Sequence, residues 1–332
     1  MTVRVGLIGA GVMGADHARI LSREIPGVTL QYICDADVAR ARSAAEATGA
    51  LHVGADPLAV IADKSVDAVL IASPDDTHAP LTKACVEAGK PVLCEKPLSQ
   101  SASECLDVIT AEVKAGRRLV QIGFMRRFDP AYVEMKQTLA SGVIGPALMM
   151  HNFHRNVSAP ANFTGQMAIT NSAPHEFDIA RFVLDTEYQS IAVFRPEFRG
   201  AGKTGAPVFM VLKTLGGQLV NVEINNNAAY GYDVRGELVG EKGSVFLRSP
   251  IHSEIHVNLQ TITTYPRDWR PRFAEAYRLQ DSAWANAIAT GKPVGASAWD
   301  GYAATLVAEA GVASLASGAP AKIALVAKPA LY

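Results

Sequence analysis

The chain has little of what marks membrane, secreted or nucleic-acid-binding proteins. Its 332 residues carry a formal net charge of −1, so no basic surplus exists to bind phosphate backbones or anionic lipid. No apolar run reaches the roughly 18 residues that span a bilayer, and the N-terminal residues show no signal-peptide pattern. We therefore expect no nucleic-acid partner, no membrane partner and a cytoplasmic location.

Cysteine is scarce as well. Its four positions, Cys34, Cys85, Cys94 and Cys105, form no CxxC pair of the kind used for zinc or redox chemistry. Cys34 and Cys94 lie in apolar runs, which predicts small, reduced core residues. The histidines of 151–154 have no carboxylate or cysteine at a useful spacing, so we predict no metal site.

What the sequence does contain is a regular alternation of strands and helices in its first third. With 49% hydrophobic residues, the chain is long enough for two domains. The alternation predicts βαβ units and a doubly wound parallel (Rossmann) sheet over residues 1–121. The predicted strands are 3–8, 28–34, 66–73, 91–97 and 119–125, and the predicted helices include 13–24, 36–49 and 101–116.

From about residue 122 the pattern changes. Alternating segments joined by glycine turns, at 216–217 and 240–243, predict a large, mostly antiparallel open sheet. Two late helices are expected, one around 273–288 and one from about 297 to 318. Residues 122–332 are thus predicted to form an α+β domain, and one exposed sheet face makes a homo-oligomer the expected state.

A dinucleotide-binding motif opens the chain. Gly9, Gly11 and Gly14 form GxGxxG directly after a predicted strand and at the start of a predicted helix. Gly9 allows a tight turn, Gly11 allows the pyrophosphate to approach the backbone, and Gly14 allows the helix to pack closely on the strand. Val12 and Met13, which lie between Gly11 and Gly14, belong to the same predicted loop at the helix N-terminus.

The acid that follows the second strand indicates which dinucleotide binds. Asp35 lies 21 residues after Gly14 and can accept hydrogen bonds from ribose hydroxyls. The same carboxylate would repel a 2′-phosphate, and the next residue is Ala36 rather than an arginine. NAD is therefore the predicted cofactor, in preference to NADP.

Several strings along the chain resemble one family. The segment 94–97 (CEKP), at the end of the predicted strand 91–97, is similar to the Gfo/Idh/MocA oxidoreductases, and strings further along are similar to the inositol dehydrogenases of that family. These strings are RLVQIGFMRRFD (118–129), HRN (154–156), HEFD (175–178), YGYD (230–233) and AWDGY (298–302). The resemblance implies a second domain on an open sheet, often a tetramer formed through that sheet, and NAD-dependent oxidation of myo-inositol to 2-keto-myo-inositol.

Oxidation of a carbinol needs a base for the hydroxyl proton and a positive group for the developing alkoxide. His175 is the predicted base: Ser172, Ala173 and Pro174 suggest a helix start, and the dipole there would keep the imidazole neutral. The resemblance places the catalytic histidine of the family at the same position. Lys96 is the predicted positive group, at the carboxyl end of the parallel sheet.

The sequence departs from the family pattern at Asn171. Inositol dehydrogenases carry aspartate four residues before this histidine, and a neutral amide cannot compensate an imidazolium charge. This departure leaves the proton relay and the substrate open. Asp178, three residues after His175, is a second candidate for the role, although a structural partner is the favoured interpretation.

The remaining predicted contacts follow from position and resemblance. Period two places His154 and Asn156 on one face of a strand with Asn152 and Met150, and Tyr230 and Tyr232 are likewise expected to share a face. By resemblance, the polyol-binding residues are Arg126, His154, Asn156, Asn171, His175 and Tyr232. Further cofactor contacts are predicted at Ser73, His78, Glu95 and Lys96.

Three alternatives stay open beside myo-inositol oxidation. The same chemistry could act on another inositol stereoisomer or an aldose, and Asn171 motivates this. A regulator that binds NAD and sugar without turnover is of a different class, since fold does not fix function. An NAD-dependent glycosidase would release an aglycone with no net NADH.

Overall fold

A computed structural model describes residues 2–159, 163–196, 207–248 and 254–332. The chain divides into two compact units. The first unit contains Met1–Phe128, Ala276–Thr305 and Leu325–Tyr332, and the second contains Asp129–Glu275 and Leu306–Ala324. These units differ from the predicted domains, 1–121 and 122–332, because the chain twice returns to the first unit. Local sequence pattern does not show which unit a late helix joins.

The first unit is built on six parallel strands. They are β1 (Val3–Ile8), β2 (Val28–Cys34), β3 (His52–Gly54), β4 (Ala68–Ile71), β5 (Val92–Cys94) and β6 (Val120–Ile122). Their order is β3-β2-β1-β4-β5-β6, with every pair parallel. All four residues of β4 are buried, as expected for a central strand of such a sheet. The predicted Rossmann sheet is confirmed.

Five helices accompany these strands: α1 (Val12–Arg23), α2 (Val38–Thr48), α3 (Pro57–Ala62), α4 (His78–Glu87) and α5 (Ala102–Ala115). Helix α2 begins where the Asp37 side chain accepts the N–H groups of Ala39 and Arg40, and ends at the left-handed Gly49. β3 and α3 were not predicted, because segments of three and six residues are too short to show a hydrophobic period.

The second unit contains a seven-stranded sheet and a small hairpin. The sheet order is β12-β11-β7-β10-β9-β8-β15, and among these described strands β7 and β10 are the parallel pair. This confirms the predicted mostly antiparallel sheet. The strands are β7 (Ala147–Arg155), β8 (Tyr188–Phe194), β9 (Val208–Thr214), β10 (Leu219–Asn225), β11 (Asp233–Gly240), β12 (Ser244–Phe246), β13 (Ile255–Val257), β14 (Gln260–Ile262) and β15 (Ala321–Lys322), with β13 and β14 forming the hairpin.

The helices of the later chain are α6 (Pro130–Ala140), α7 (Gly165–Met167), α8 (Pro174–Leu184), α9 (Arg270–Thr290) and α10 (Ala298–Ser317). One π-helical turn, Ala168–Ser172, joins α7 to α8. Within the second unit the Ser314 hydroxyl of α10 accepts the N–H of Val193 at 3.0 Å, which ties this helix to β8. Across the described ranges, no helix is both long and apolar enough to cross a membrane.

Candidate active site

The glycine loop of the first unit has the geometry that a dinucleotide requires. Gly9 has a φ of +93°, and a Cβ there would lie 2.5 Å from the Ala72 carbonyl. A Cβ on Gly14 would lie 1.9 Å from the Gly9 carbonyl oxygen, so helix and strand pack as predicted. A Cβ added to Gly11, the N-cap of α1, would have no described atom within 4 Å. The free N–H groups of this helix end are thus open to a pyrophosphate.

Asp35 is fixed beside this loop by two backbone donors. Its Oδ2 accepts the N–H of Ala10 at 2.7 Å, and its Oδ1 accepts the N–H of Asp37 at 2.8 Å. The guanidinium of Arg40, which is half-exposed, lies 3.3 Å from Oδ1. Arg40 was not among the predicted cofactor contacts, although a basic residue in the first turn of the next helix is a recognisable signal. The loop and Asp35 together fit an NAD-type dinucleotide.

Ser73 and His78 follow β4. The Ser73 hydroxyl forms a hydrogen bond with the Thr77 hydroxyl at 2.6 Å. The backbone carbonyl of Ser73 accepts a hydrogen bond from the His78 ring at 2.9 Å. The other ring nitrogen of His78 donates to the Pro97 carbonyl at 2.7 Å. Burial opposes a charge here, but Cys94 and the two carbonyl acceptors raise the pKa of His78 to about 10. His78 thus ties the end of β4 to the segment after β5, and its direct contact with a cofactor stays a prediction.

Glu95 and Lys96 follow β5, at the same edge of the sheet. The Glu95 carboxylate is buried and accepts from His17 and from the Lys96 backbone N–H, at 3.0 and 3.1 Å. Arg126 follows β6 in a 3-10 turn, Met125–Phe128, and is almost completely buried in the same unit. Ser73, Glu95 and Arg126 therefore follow the carboxyl ends of three neighbouring strands, β4, β5 and β6.

His175 lies in the first turn of α8, as predicted, but the helix begins differently. Its N-cap is Ala173, whose side chain has no hydrogen-bonding atom, and Pro174 occupies the first position. The predicted cap, Ser172, instead ends the π-helical turn, and its hydroxyl accepts from the Asn226 amide at 3.1 Å. The expectation of a serine cap was wrong because the preceding segment is already helical.

A chain of polar side chains runs from α8 across β7 to the loop after β10. The Nδ1 atom of His154 lies 3.2 Å from a carboxylate oxygen of Glu176. On the other side of the ring, Nε2 lies 3.4 Å from the amide nitrogen of Asn156, which also donates to Asn226. Asn226 in turn reaches Ser172. His154 and Asn156 were predicted site residues, whereas Glu176 and Asn226 were not.

Three rings of the predicted substrate set lie together in the second unit. The His154 ring centroid is 6.4 Å from that of His175 and 6.2 Å from that of Tyr232. Tyr230 does not share this face: it is half-exposed and its hydroxyl donates to Asp233 at 2.6 Å. The expected pairing of Tyr230 with Tyr232 was wrong, because Gly231, at a φ of +150°, separates them before β11 begins.

Asn171 lies on the π-helical turn, where its side-chain oxygen accepts from the Thr170 hydroxyl at 2.8 Å. Asp178 is buried and lies 3.8 Å from Arg181, so it has a structural partner of the kind expected. Within the described ranges, no group of three or more His, Cys, Asp or Glu side chains could hold a metal ion.

The chain is similar to known proteins over its whole length. Residues 3–124 match a family model described as an oxidoreductase family with an NAD-binding Rossmann fold, and residues 136–323 match the C-terminal α/β domain of the same family. A protein named inositol 2-dehydrogenase 1 from Saccharopolyspora erythraea is 50% identical, covering 100% of this chain and 99% of the relative. An inositol 2-dehydrogenase from Klebsiella pneumoniae is 40% identical, with 100% and 99% coverage.

Among solved structures, the crystal structure of myo-inositol dehydrogenase from Lactobacillus casei in complex with NAD(H) and myo-inositol is 30% identical. It superposes with a TM-score of 0.94 and covers 100% of both chains. The similarity therefore includes both units and the segments that carry the predicted site residues.

Proposed function

Because this chain belongs to the Gfo/Idh/MocA family of oxidoreductases, we propose that it oxidises myo-inositol to 2-keto-myo-inositol with NAD. The observation that carries the proposal is the cluster of His154, His175 and Tyr232, with its polar chain to Asn156 and Asn226. A buried array of donors and acceptors suits a ligand that bears a hydroxyl on every carbon.

Residues of the first unit would hold the cofactor. The glycine loop and the N-terminus of α1 would receive the pyrophosphate, and the Asp35 carboxylate would accept from the adenosine ribose hydroxyls. When bound, NAD supplies the hydride acceptor. Val12, Met13, Ser73, His78, Glu95 and Lys96 complete the proposed cofactor contacts.

His175 is proposed as the base that takes the hydroxyl proton of the substrate. Its position in the first turn of α8 favours the neutral imidazole, since a positive charge at a helix N-terminus is unfavourable. Lys96 is proposed to stabilise the alkoxide as it develops, because an ammonium group can interact more strongly with the alkoxide than with the neutral alcohol.

The polar chain of the second unit would fix the orientation of the polyol. Glu176 accepts at Nδ1 of His154, so that nitrogen carries the hydrogen and Nε2 is an acceptor. The Asn156 amide faces Nε2 as a donor, which agrees with this tautomer. His154, Asn156 and Tyr232 are proposed to bind substrate hydroxyls, together with Arg126 and Asn171.

The competing proposal keeps the chemistry and changes the substrate to another inositol stereoisomer or an aldose. Asn171 is the observation that favours it, since the family carries aspartate there. A non-catalytic regulator has less support, because Lys96 and His175 are both in place.

Turnover assays test these alternatives. Purified protein with NAD and myo-inositol should produce NADH, and His175→Gln should lose most of this activity while still binding NADH. Little activity with NADP is expected. If only a stereoisomer or an aldose is oxidised, the substrate assignment is wrong, and binding of NADH without oxidation of any polyol would indicate a regulator.

The predicted homotetramer and cytoplasmic location are also proposals. Met149, Phe209 and Leu219 lie on the outward face of the seven-stranded sheet and are about two-fifths exposed, at 37%, 41% and 44%. Such a face supports association through the sheet. Four buried free cysteines agree with a reducing compartment. Light scattering of the wild type and of Phe209→Lys would measure the subunit number and its dependence on this face.

A further inference from the structure

A histidine of the first unit that the proposed mechanism does not use is enclosed between two carboxylates. His17 lies on α1, three residues after Gly14, and is fully buried. Its Nε2 lies 3.0 Å from Glu95 Oε1, and its Nδ1 lies 2.8 Å from Oδ2 of Asp281 on α9. The ring therefore joins three segments that are far apart in sequence.

The two contacts favour a charged ring. An ionised carboxylate only accepts hydrogen bonds, and a neutral imidazole offers a single N–H, so two ionised partners are both satisfied when the ring carries two hydrogens. Burial raises the pKa of Asp281, and the contact with His17 opposes that rise. Burial opposes the charge, but Asp281 and Glu95 outweigh it and raise the pKa of His17 to about 10. Tyr277 packs edge-on against the ring, with centroids 5.6 Å apart. These contacts favour the imidazolium form of His17 at neutral pH.

The second oxygen of Glu95 connects this imidazolium to the active-site loop. Glu95 Oε2 accepts the backbone N–H of Lys96 at 3.1 Å. A Cβ on Gly123, after β6, would lie 2.9 Å from the Glu95 carboxyl carbon, so Glu95 fills the space that a side chain would need. Burial would raise the pKa of Glu95, but His17 outweighs this effect and lowers it. The carboxylate is therefore both ionised and confined.

We infer that His17 is a positioning residue of the dehydrogenase reaction: it holds Glu95, and through Glu95 the backbone of Lys96, with Asp281 as its anchor. The inference rests on the proposed function in assigning Lys96 to the substrate hydroxyl. The buried pair is by itself weak evidence for a role in stability, because such pairs often stabilise a fold no more than apolar residues of similar volume.

Two variants and one control test the inference. His17→Gln removes the charge and one of the two contacts, and Asp281→Asn removes the anchoring charge while keeping an acceptor. Both should lower kcat for myo-inositol by about 10- to 100-fold, since small displacements of a catalytic group have effects of this size. NADH affinity should stay close to that of the wild type. His52→Gln, an exposed histidine of the same unit, should change neither quantity.

The pH profile separates positioning from a purely structural role. In Asp281→Asn the loss of one carboxylate favours the neutral ring, so His17 should lose its proton within the assay range. The kcat of this variant should therefore fall as pH rises and recover at lower pH. A residue that merely stabilises the fold would lower the melting temperature without adding this ionisation to kcat.

A second readout does not depend on turnover. Reductive ¹³C-methylation of the lysines gives an NMR signal for Lys96, which can be assigned with Lys96→Arg. This signal should move in His17→Gln and in Asp281→Asn but not in His52→Gln. If the Lys96 signal stays unchanged in both His17→Gln and Asp281→Asn, the inference is wrong. The inference is also wrong if the pH profile of kcat for Asp281→Asn shows no additional ionisation. A wild type that does not oxidise myo-inositol would overturn the proposed function, while the Lys96 signal would still decide the positioning role.

Discussion

The Nδ1 atom of His154 on β7 lies 3.2 Å from the carboxylate of Glu176 on α8, and both side chains are buried. Glu176 directly follows His175, so this one contact connects the strand that would carry the substrate contacts to the helix that carries the proposed base. It favours the tautomer of His154 that carries its hydrogen on Nδ1. We therefore expect Glu176, the neighbour of the proposed base, to help orient the site.

Removal of the Glu176 carboxylate should therefore affect substrate binding and catalysis together. Glu176→Ala leaves a buried His154 nitrogen without its acceptor, which we expect to raise KM for the polyol and to lower kcat/KM by at least about tenfold. Glu176→Gln keeps an acceptor and should be milder. Steady-state kinetics of Glu176→Ala and Glu176→Gln gives KM and kcat/KM for both variants. Equal effects of the two variants would show that substrate binding depends on the charge of Glu176 and not on its hydrogen bond to His154.

Lys96→Ala should abolish measurable oxidation while leaving NAD affinity nearly unchanged. The expected loss in kcat is at least about 10²-fold, because the ammonium group acts on charge that develops in the transition state. Lys64→Ala, an exposed lysine of the same unit, is the matched control. Retention of full activity by Lys96→Ala would contradict the assigned role.

We expect Arg40 to favour NADP when the Asp35 carboxylate is removed. The guanidinium lies 3.3 Å from the Asp35 carboxylate, and Asp35→Ser would free it for a 2′-phosphate. We expect this variant to raise the ratio of kcat/KM for NADP to that for NAD by at least about tenfold. The double variant Asp35→Ser, Arg40→Ala should not show this rise in the ratio of kcat/KM for NADP to that for NAD. If both variants show the same ratio, Arg40 has no part in cofactor choice.

Asn171→Asp restores the acid that the family carries before the proposed base. A carboxylate near His175 favours the imidazolium, so the acid limb of the kcat/KM profile should move to higher pH by up to about 1–2 units. Rates measured across pH for myo-inositol and its stereoisomers would also show whether preference shifts between substrates. An unchanged profile would mean that Asn171 does not interact with the base.

Local patterns predicted the parts of the site that depend on neighbours in sequence. Gly9, Gly11, Gly14 and Asp35 are recognisable because a turn, a helix start and a strand end lie within a few residues of each other. Contacts between distant segments could not be predicted in this way. Asp281 reaches His17 across 264 residues, and only the tertiary structure brings their side chains together.

The same reasoning explains the errors in the second unit. Ser172 matched a helix cap because serine before Ala-Pro is a common helix start, but a π-helical turn already precedes it. Tyr230 and Tyr232 matched a strand period, but the strand begins only at Asp233. A local pattern predicts the type of an element better than its first residue, and site residues cluster at such ends.

Protonation of His17 makes a prediction about stability against pH. The pKa of His17 in the folded protein is about 10, raised above its usual 6.5 in spite of burial, because Asp281 and Glu95 favour the charged ring. A raised pKa contributes stability that is fully present below about pH 6.5 and is lost as pH rises through about 10. The melting temperature of the wild type should therefore exceed that of His17→Gln most at pH 6.5 or below.

Thermal unfolding of both proteins, measured from about pH 6.5 to about pH 10, tests this prediction. The difference between the two melting temperatures should become smaller as pH rises, because the variant lacks the titrating group. A difference that stays constant with pH would mean that His17 does not carry the extra proton, since a neutral ring in this position has no proton to lose over that range.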